Sequence, residues 1–438
     1  MVKVSTGVVG IKPPPIPSKW DIIPIHTSDR GTFKYCRRKW SYSSPTTRNL
    51  VPRSNIYGII EHFWFGTGIH HALERFYNPL LKEDPTAAWI DWYELQWNGG
   101  LIDKSMLYEY ADRNPEPHAT IPDVFVVDGL KDVLPDPDPD EFAAYKTLGT
   151  GMMNFYKQYA PNHDNFAVIM VEHDFSVPII NPTTGYTMQA LDTRVMPDGW
   201  EHSPGPPLYH IRTTDNTGVL KAVHARGRMD LIVQDLDNGQ YGIMDHKTAK
   251  SIGDDYFSHL EIDDQITTYA WAAEQEAITY DLEYKNIDFV IYQGLRKAFP
   301  SPPTELANGM PSVAKATEST TALLFEQYIK EHNLKVVFES SAKLQAYYAW
   351  LLEQGDKMFI QRDTVKRNKF QKAQLGSRIF YEATDMLNVM DKPEFLYPSP
   401  QKDWGCTKCT FRAPCVAQEQ GYDYEAMLAD GYVSNYDR

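Results

Sequence analysis

The sequence predicts an α/β chain with a mixed β-sheet packed between helices, on three observations. Two β-prone runs, Leu231–Asp235 and Tyr241–Met244, flank Asn238-Gly239, the strongest short-range hairpin signal. A further β-rich stretch opens at Phe166–Glu172 and runs to that hairpin. Helical spacing of apolar residues brackets both, at Phe65–Tyr77 before them and from Asp255 to about Thr279 after them.

In chain order, residues 1–20 contain Pro13-Pro14-Pro15-Ile16-Pro17 and read as an extended arm. Thr27 to Ser41 has the pattern of one short helix holding Tyr35-Cys36-Arg37-Arg38-Lys39-Trp40. Phe65–Tyr77 carries His70, Leu73, Glu74 and Tyr77. From about 80 to 165 the chain reads as a mostly helical insertion rich in Trp and Tyr, broken by the loop Leu134–Asp140. The β region that follows includes a loop at His202–Pro207. Ile287–Tyr292 reads as another strand, Phe299–Pro311 as a Pro-rich loop, and 319 to about 390 as largely helical. Residues 1–438 read as one domain carrying this insertion, without internal repeats.

The composition, 42% hydrophobic and 23% charged, is that of an ordinary globular chain. A net charge of −15 removes bulk attraction to nucleic acid, so any such binding must use local patches or metal ions. No run of about 18 apolar residues predicts a membrane span, and Met1–Ser5 opens no secretory signal, so a cytoplasmic location is expected. No G-x-x-x-x-G-K-S/T sequence predicts a P-loop.

The chemistry is concentrated at the charged ends of the hairpin. With a two-residue turn at Asn238-Gly239, Asp230 falls opposite Lys247 and Ile232 opposite Asp245. Asp230, Asp245 and Lys247 then share one face. Two carboxylates and an ammonium suit a hard cation such as Mg2+ or Mn2+, which takes oxygen ligands and keeps waters. The lysine could hold or activate an attacking water. Taken alone, the same pattern describes a surface ion pair on an edge hairpin.

Other residues give that pattern company. His70 and Glu74 share a helix face, with His71 about a third of a turn away; a lone histidine is more often structural. Gln265 and Tyr269, at i and i+4 on the next helix, either face the site or form a buried polar pair. Arg37-Arg38-Lys39 and Arg362–Lys372, the latter with Lys366, Arg367 and Lys369, are either phosphate tracks or solvated helix faces. Only four cysteines exist. Cys406, Cys409 and Cys415 form C-x2-C-x5-C, and the fourth, Cys36, lies near the other end. Thiolates select zinc or iron–sulfur. Zinc sites usually combine two C-x2-C pairs, so the lone distant Cys36 favours a cluster over zinc, with unlinked buried cysteines as the plain alternative.

Together these residues resemble the RecB-like branch of the PD-(D/E)XK nuclease superfamily in its iron–sulfur form. That form occurs in CRISPR-associated and phage-borne exonucleases and in AddB-type helicase–nuclease subunits. Gly66 to His70 fits G-x-x-x-H, Gly227 to Asp230 fits G-x-x-D, Asp245 and Lys247 fit (D/E)-x-K, and Gln265 to Tyr269 fits Q-x-x-x-Y. Met229 replaces the usual proline, and the region between His70 and Asp230 is longer than a compact core needs. Glu172 sits where relatives often carry a glutamate.

The resemblance implies a restriction-endonuclease-like core with mixed sheet and helical insertion, its terminal segments tied by an iron–sulfur staple. It implies a metal-dependent deoxyribonuclease, foremost an exonuclease on single strands or DNA ends. His70, Asp230 and Asp245 would hold Mg2+ or Mn2+, Lys247 would orient the water, and Gln265 and Tyr269 would position the strand. Cys36, Cys406, Cys409 and Cys415 would hold a four-iron, four-sulfur (4Fe–4S) cluster, with structural Zn2+ as the alternative. DNA is the implied partner, with a separate helicase or recombination protein beside it. The location would be a host cytoplasm if the chain is phage-encoded. The rival readings are a non-catalytic DNA-binding or assembly subunit that keeps fold and cluster, and a zinc-stapled scaffold without a nucleic-acid role.

Overall fold

The computed structural model describes residues 22–52, 64–103, 124–128, 131, 138–192, 209–210, 219–390, 392–400 and 404–434. The arm read at 1–20, the loop His202–Pro207 and most of Leu134–Asp140 lie outside the described residues. The described chain is built on an eight-stranded mixed sheet. Its strands are β1 (Ile22–His26), β2 (Phe166–Pro178), β3 (Gln189–Asp192), β4 (Tyr209–His210), β5 (Val219–Asp235), β6 (Tyr241–Ala249), β7 (Phe289–Arg296) and β8 (Ile360–Val365). The order is β8-β7-β6-β5-β3-β4, with β1 and β2 also paired to β5. β1 runs parallel to β5 and β7 parallel to β6; the other pairs are antiparallel.

Strand β5 is the spine, and β2 accompanies it from Phe166↔Asp235 to Pro178↔His224. On its other edge β5 changes partner. Its C-terminal part pairs with β6 as far as Leu231↔Met244, whereas β1 takes over at His26↔Arg226. The sheet therefore forks between Gly227 and Asp230. A fork frees backbone groups from the ladder and makes room for side chains, and here it opens at the charged residues.

Alternation sends Ile232 and Ile243 to one face of the sheet and Leu231, Val233 and Met244 to the other. The first face packs on α6 (Asp264–Thr279) and α7 (Lys369–Val389). The second packs on α3 (Phe65–Tyr77), α4 (Pro85–Asn98) and α5 (Pro139–His163). Each such side chain, fully buried, contributes roughly 1.5–3 kcal/mol. Helix α3 buries Phe65, Ile69, Ala72, Leu73 and Tyr77, a 3.6-residue stripe with His70 at its edge.

Several expectations are corrected. Asn238-Gly239 is not a two-residue turn. The Asp235 carboxylate accepts from Asp237 N at 2.8 Å, Gly239 N donates to Asp235 O at 2.9 Å, and Gly239 takes φ +72°. This Asx turn lengthens the loop and moves the register by two residues, so Ile232 faces Ile243 instead of Asp245. The single helix read at Thr27–Ser41 is two, α1 (Thr27–Tyr35) and α2 (Arg37–Ser43), broken at extended Cys36. The helical stretch at 80–165 also holds a hairpin, Gly99–Asp103 with Val124–Asp128. β8 interrupts the region read as helical after 319. No helix among the described residues is long and apolar enough to cross a membrane.

Gly68 shows how tightly α3 is seated. A Cβ there would stand 2.4 Å from the Trp92 ring and 2.5 Å from the Trp89 ring. Gly68→Ala is expected to lower stability by about 1–3 kcal/mol in a chemical denaturation curve. A variant as stable as the parent would mean that α4 packs more loosely than described.

Candidate active site

The site forms where the fork exposes Asp230. Asp230 Oδ2 accepts a hydrogen bond from His246 N at 2.6 Å, supplying the partner that the β5–β6 ladder no longer gives. The β2–β5 register runs Val171↔Leu231 and His173↔Met229, which sets Glu172 across from Asp230. Glu172 has φ +45°, a left-handed backbone that is unusual for a non-glycine residue in a strand. From α3, His70 Nδ1 reaches to 3.5 Å from Asp230 Oδ1 and 4.0 Å from Glu172 Oε1. One ligand atom from each of His70, Glu172 and Asp230 lies within 4.8 Å of the other two, the only such group of three His, Cys, Asp or Glu among the described residues.

Asp245 and Lys247 stand beside this group on β6. Asp245 is 1% exposed, and Lys247 Nζ lies 2.8 Å from its Oδ1 and 2.7 Å from its Oδ2. On α6, Gln265 donates to the Tyr269 hydroxyl at 2.7 Å, and the Tyr269 ring is buried beside Asp245 and Lys247. The structure thus brings His70 and Asp230 together, adds Glu172, and sets Asp245 next to them in the grip of Lys247. His71 turns instead toward Trp92, 6.5 Å between rings. Glu172 carries no spacing signal of its own; its place across from Asp230 follows from the pairing of two strands far apart in sequence.

The electrostatics are those of crowded carboxylates. Burial pushes the Glu172 carboxyl up and Asp230 adds to it, reaching about 8. Burial alone would lower His70, but Asp230 and then Glu172 outweigh it and raise it to about 9. Asp230 goes the other way: burial opposes ionisation, yet His70 and Lys247 hold it well below the usual carboxylate range. Burial lifts Asp245 to about 6 against the pull of Lys247, with Asp230 adding to the rise. Lys247 is raised despite burial because Asp245 and Asp230 face it.

A cation that takes Glu172 as carboxylate and His70 as neutral imidazole must displace their protons. Burial and neighbouring charge raise Glu172 to about 8 and Asp230 holds His70 at about 9, so ion affinity is expected to rise with pH up to about 9. Calorimetric titration of Mn2+ in two buffers of different ionisation enthalpy reads this as proton release. PH-independent affinity would contradict the arrangement.

The basic stretches are mostly engaged internally. Arg37 pairs with Asp385 at 2.5 Å and Arg38 with Glu419 at 2.6 Å. Arg362 pairs with Asp164 at 2.7 Å, buried Arg367 donates to Thr267 at 2.8 Å, and buried Lys372 pairs with Glu274. Of the basic residues in the second stretch, only Lys366 and Lys369 lie exposed.

Among the described residues, segments near opposite ends of the chain meet. Tyr42 donates to Gln418 at 2.5 Å, and Leu50–Pro52 pairs with Tyr432–Ser434. The Arg38 guanidinium lies 3.9 Å from Cys415 Sγ. Burial raises the Cys415 thiol despite Arg38, with Cys36 and Cys409 near enough to add to the rise. All four cysteines are half-buried and outside any disulfide, but among the described residues no three sulfurs lie within 4.8 Å of one another, so the structure does not assemble a four-thiolate site.

No curated protein matches the chain. A family model does match it, over residues 28–416, a span that contains the fork, the His70–Glu172–Asp230 group and the Asp245–Lys247 pair. Nucleases of this kind use divalent metals, in keeping with that acidic group. By this match the chain belongs to the PD-(D/E)XK nuclease superfamily.

Proposed function

We propose that the protein is a divalent-metal-dependent deoxyribonuclease that degrades DNA from single-stranded regions or free ends. The observation that carries this reading is the His70–Glu172–Asp230 group beside the Asp245–Lys247 pair at the fork of the sheet. Two carboxylates and an imidazole, with no thiolate, fit Mg2+ or Mn2+. His70, Glu172 and Asp230 would hold the ion, with Asp245 completing the set. When bound it supplies a Lewis acid for the phosphoryl oxygen and lowers the pKa of a coordinated water. Lys247 stays cationic and offsets the negative charge that develops on the phosphoryl group. Gln265 and Tyr269 position the strand. In a chain of net charge −15, attraction for DNA comes from the ion and local cations, so affinity should depend on the metal.

Labelled linear single strands, blunt duplexes and single-stranded circles, each with Mg2+ and with Mn2+, separate the modes. Loss of linear single strands with circles spared is the expected result. Equal loss of circles would replace the exonuclease reading with an endonuclease one.

We propose further that Cys36, Cys406, Cys409 and Cys415 hold a 4Fe–4S cluster that ties the two ends. Four thiolates on one zinc, with bonds of about 2.3 Å, stand roughly 3.8 Å apart. A cluster places each thiolate on its own iron, farther from the others, and Cys36 and Cys409 lie near enough to Cys415 to raise its thiol. Anaerobically purified protein is expected to be brown, and Cys36→Ser and Cys415→Ser each to lose iron and thermal stability. Colourless protein with one zinc per chain would contradict the cluster and leave the nuclease site in place.

A further inference from the structure

Behind Asp230 lies a buried polar chain that the reaction as described does not use. Gln293, on β7, is fully buried in register with His246. Arg362 Nε donates to Gln293 Oε1 at 2.6 Å, and Arg362 itself is held by Asp164 at 2.7 Å. A guanidinium only donates, so the oxygen of Gln293 must face Arg362 and its amide nitrogen must face His246. That nitrogen lies 2.8 Å from His246 Nδ1 and 3.0 Å from the Tyr156 hydroxyl. Nδ1 therefore accepts, and the neutral ring carries its proton on Nε2. Tyr77, at the end of the helix that bears His70, stacks on the same ring with an interplanar angle of 13°.

His246 Nε2 is buried and has no hydrogen-bond partner among the described residues. A buried donor without an acceptor costs roughly 1–3 kcal/mol and calls for a ligand or a water. The ring stands 6.1 Å from the His70 ring, nearly perpendicular to it, and the His246 backbone already holds Asp230. We propose that Arg362 and Gln293 are positioning residues that lock His246 as an Nε2–H donor to a water or phosphate oxygen bound at the His70–Glu172–Asp230 group. The proposal rests on the nuclease reading for the identity of that oxygen, but not for the lock.

Gln293→Glu tests the lock, because a carboxylate only accepts and moves the His246 proton to Nδ1. Nitrogen-15 spectra of histidine-labelled protein, with His246 assigned through its loss in His246→Gln, are expected to show the Nε2–H tautomer in the parent and Nδ1–H in Gln293→Glu. Adding Mg2+ and thymidine 5′-monophosphate should shift the parent's Nε2 resonance and leave that of Gln293→Glu unmoved. On single-stranded DNA, Gln293→Glu should lose about 10–100-fold in kcat. His246→Gln, whose amide can donate from near the Nε2 position, should retain more activity than His246→Asn. An Nδ1–H tautomer in the parent, or an Nε2 resonance that the nucleotide does not move, would overturn the proposal. A parent whose resonance moves but which cleaves no DNA would overturn the nuclease reading and leave the lock standing.

Discussion

Asp245→Asn is expected to lose cleavage by a factor on the order of a thousand or more in kcat while keeping its fold. The substitution is nearly isosteric and leaves an oxygen to accept from Lys247 Nζ, now 2.7–2.8 Å away. What it removes is the negative charge at a position 1% exposed, where no water can replace it. In the metal-free protein that charge is itself costly, since burial and Asp230 push the Asp245 carboxyl up to about 6. The variant should therefore be stabilised less than the parent by Mn2+. Cleavage at the parent's rate by purified Asp245→Asn would show that the chemistry lies elsewhere.

Lys247→Met should lower kcat on the order of a hundred- to a thousandfold with KM nearly unchanged. Asp245 and Asp230 outweigh burial and raise the lysine above its ordinary value, so in the proposed reaction it would serve as a cation and hydrogen-bond donor. Its contribution grows as negative charge develops on the phosphoryl group and so belongs to the transition state. A variant with weakened DNA binding but normal turnover at saturation would place Lys247 in ground-state binding instead.

Much of this site was legible because its residues sit at fixed offsets along single elements. Asp245 and Lys247 are two apart on one strand, Gln265 and Tyr269 four apart on one helix, and His70 lies at the edge of an apolar stripe. Glu172 was barely legible, because its position depends on β2 pairing with β5 and on a left-handed backbone that no pattern announces. The register of the central hairpin was misread because Asp235 builds an Asx turn, a side-chain contact that outweighed the Asn-Gly signal. The fork itself was invisible: β1 is a short apolar run, and nothing local says that it joins β5 where β6 departs. The basic stretches misled for a related reason, since sequence gives charge but not burial, and Arg362, Arg367 and Lys372 are bound to partners inside the fold.

The central claim is that His70, Glu172 and Asp230, with Asp245 and Lys247 beside them, make one metal-dependent phosphodiester-cleaving site. The most direct measurement follows degradation of end-labelled single-stranded DNA by the parent protein and by Asp245→Asn, each with Mg2+, with Mn2+ and with chelator. The expected result is cleavage by the parent only when a divalent ion is present, and none by the variant under any condition. Cleavage that survives chelation, or that the two proteins share, would contradict it.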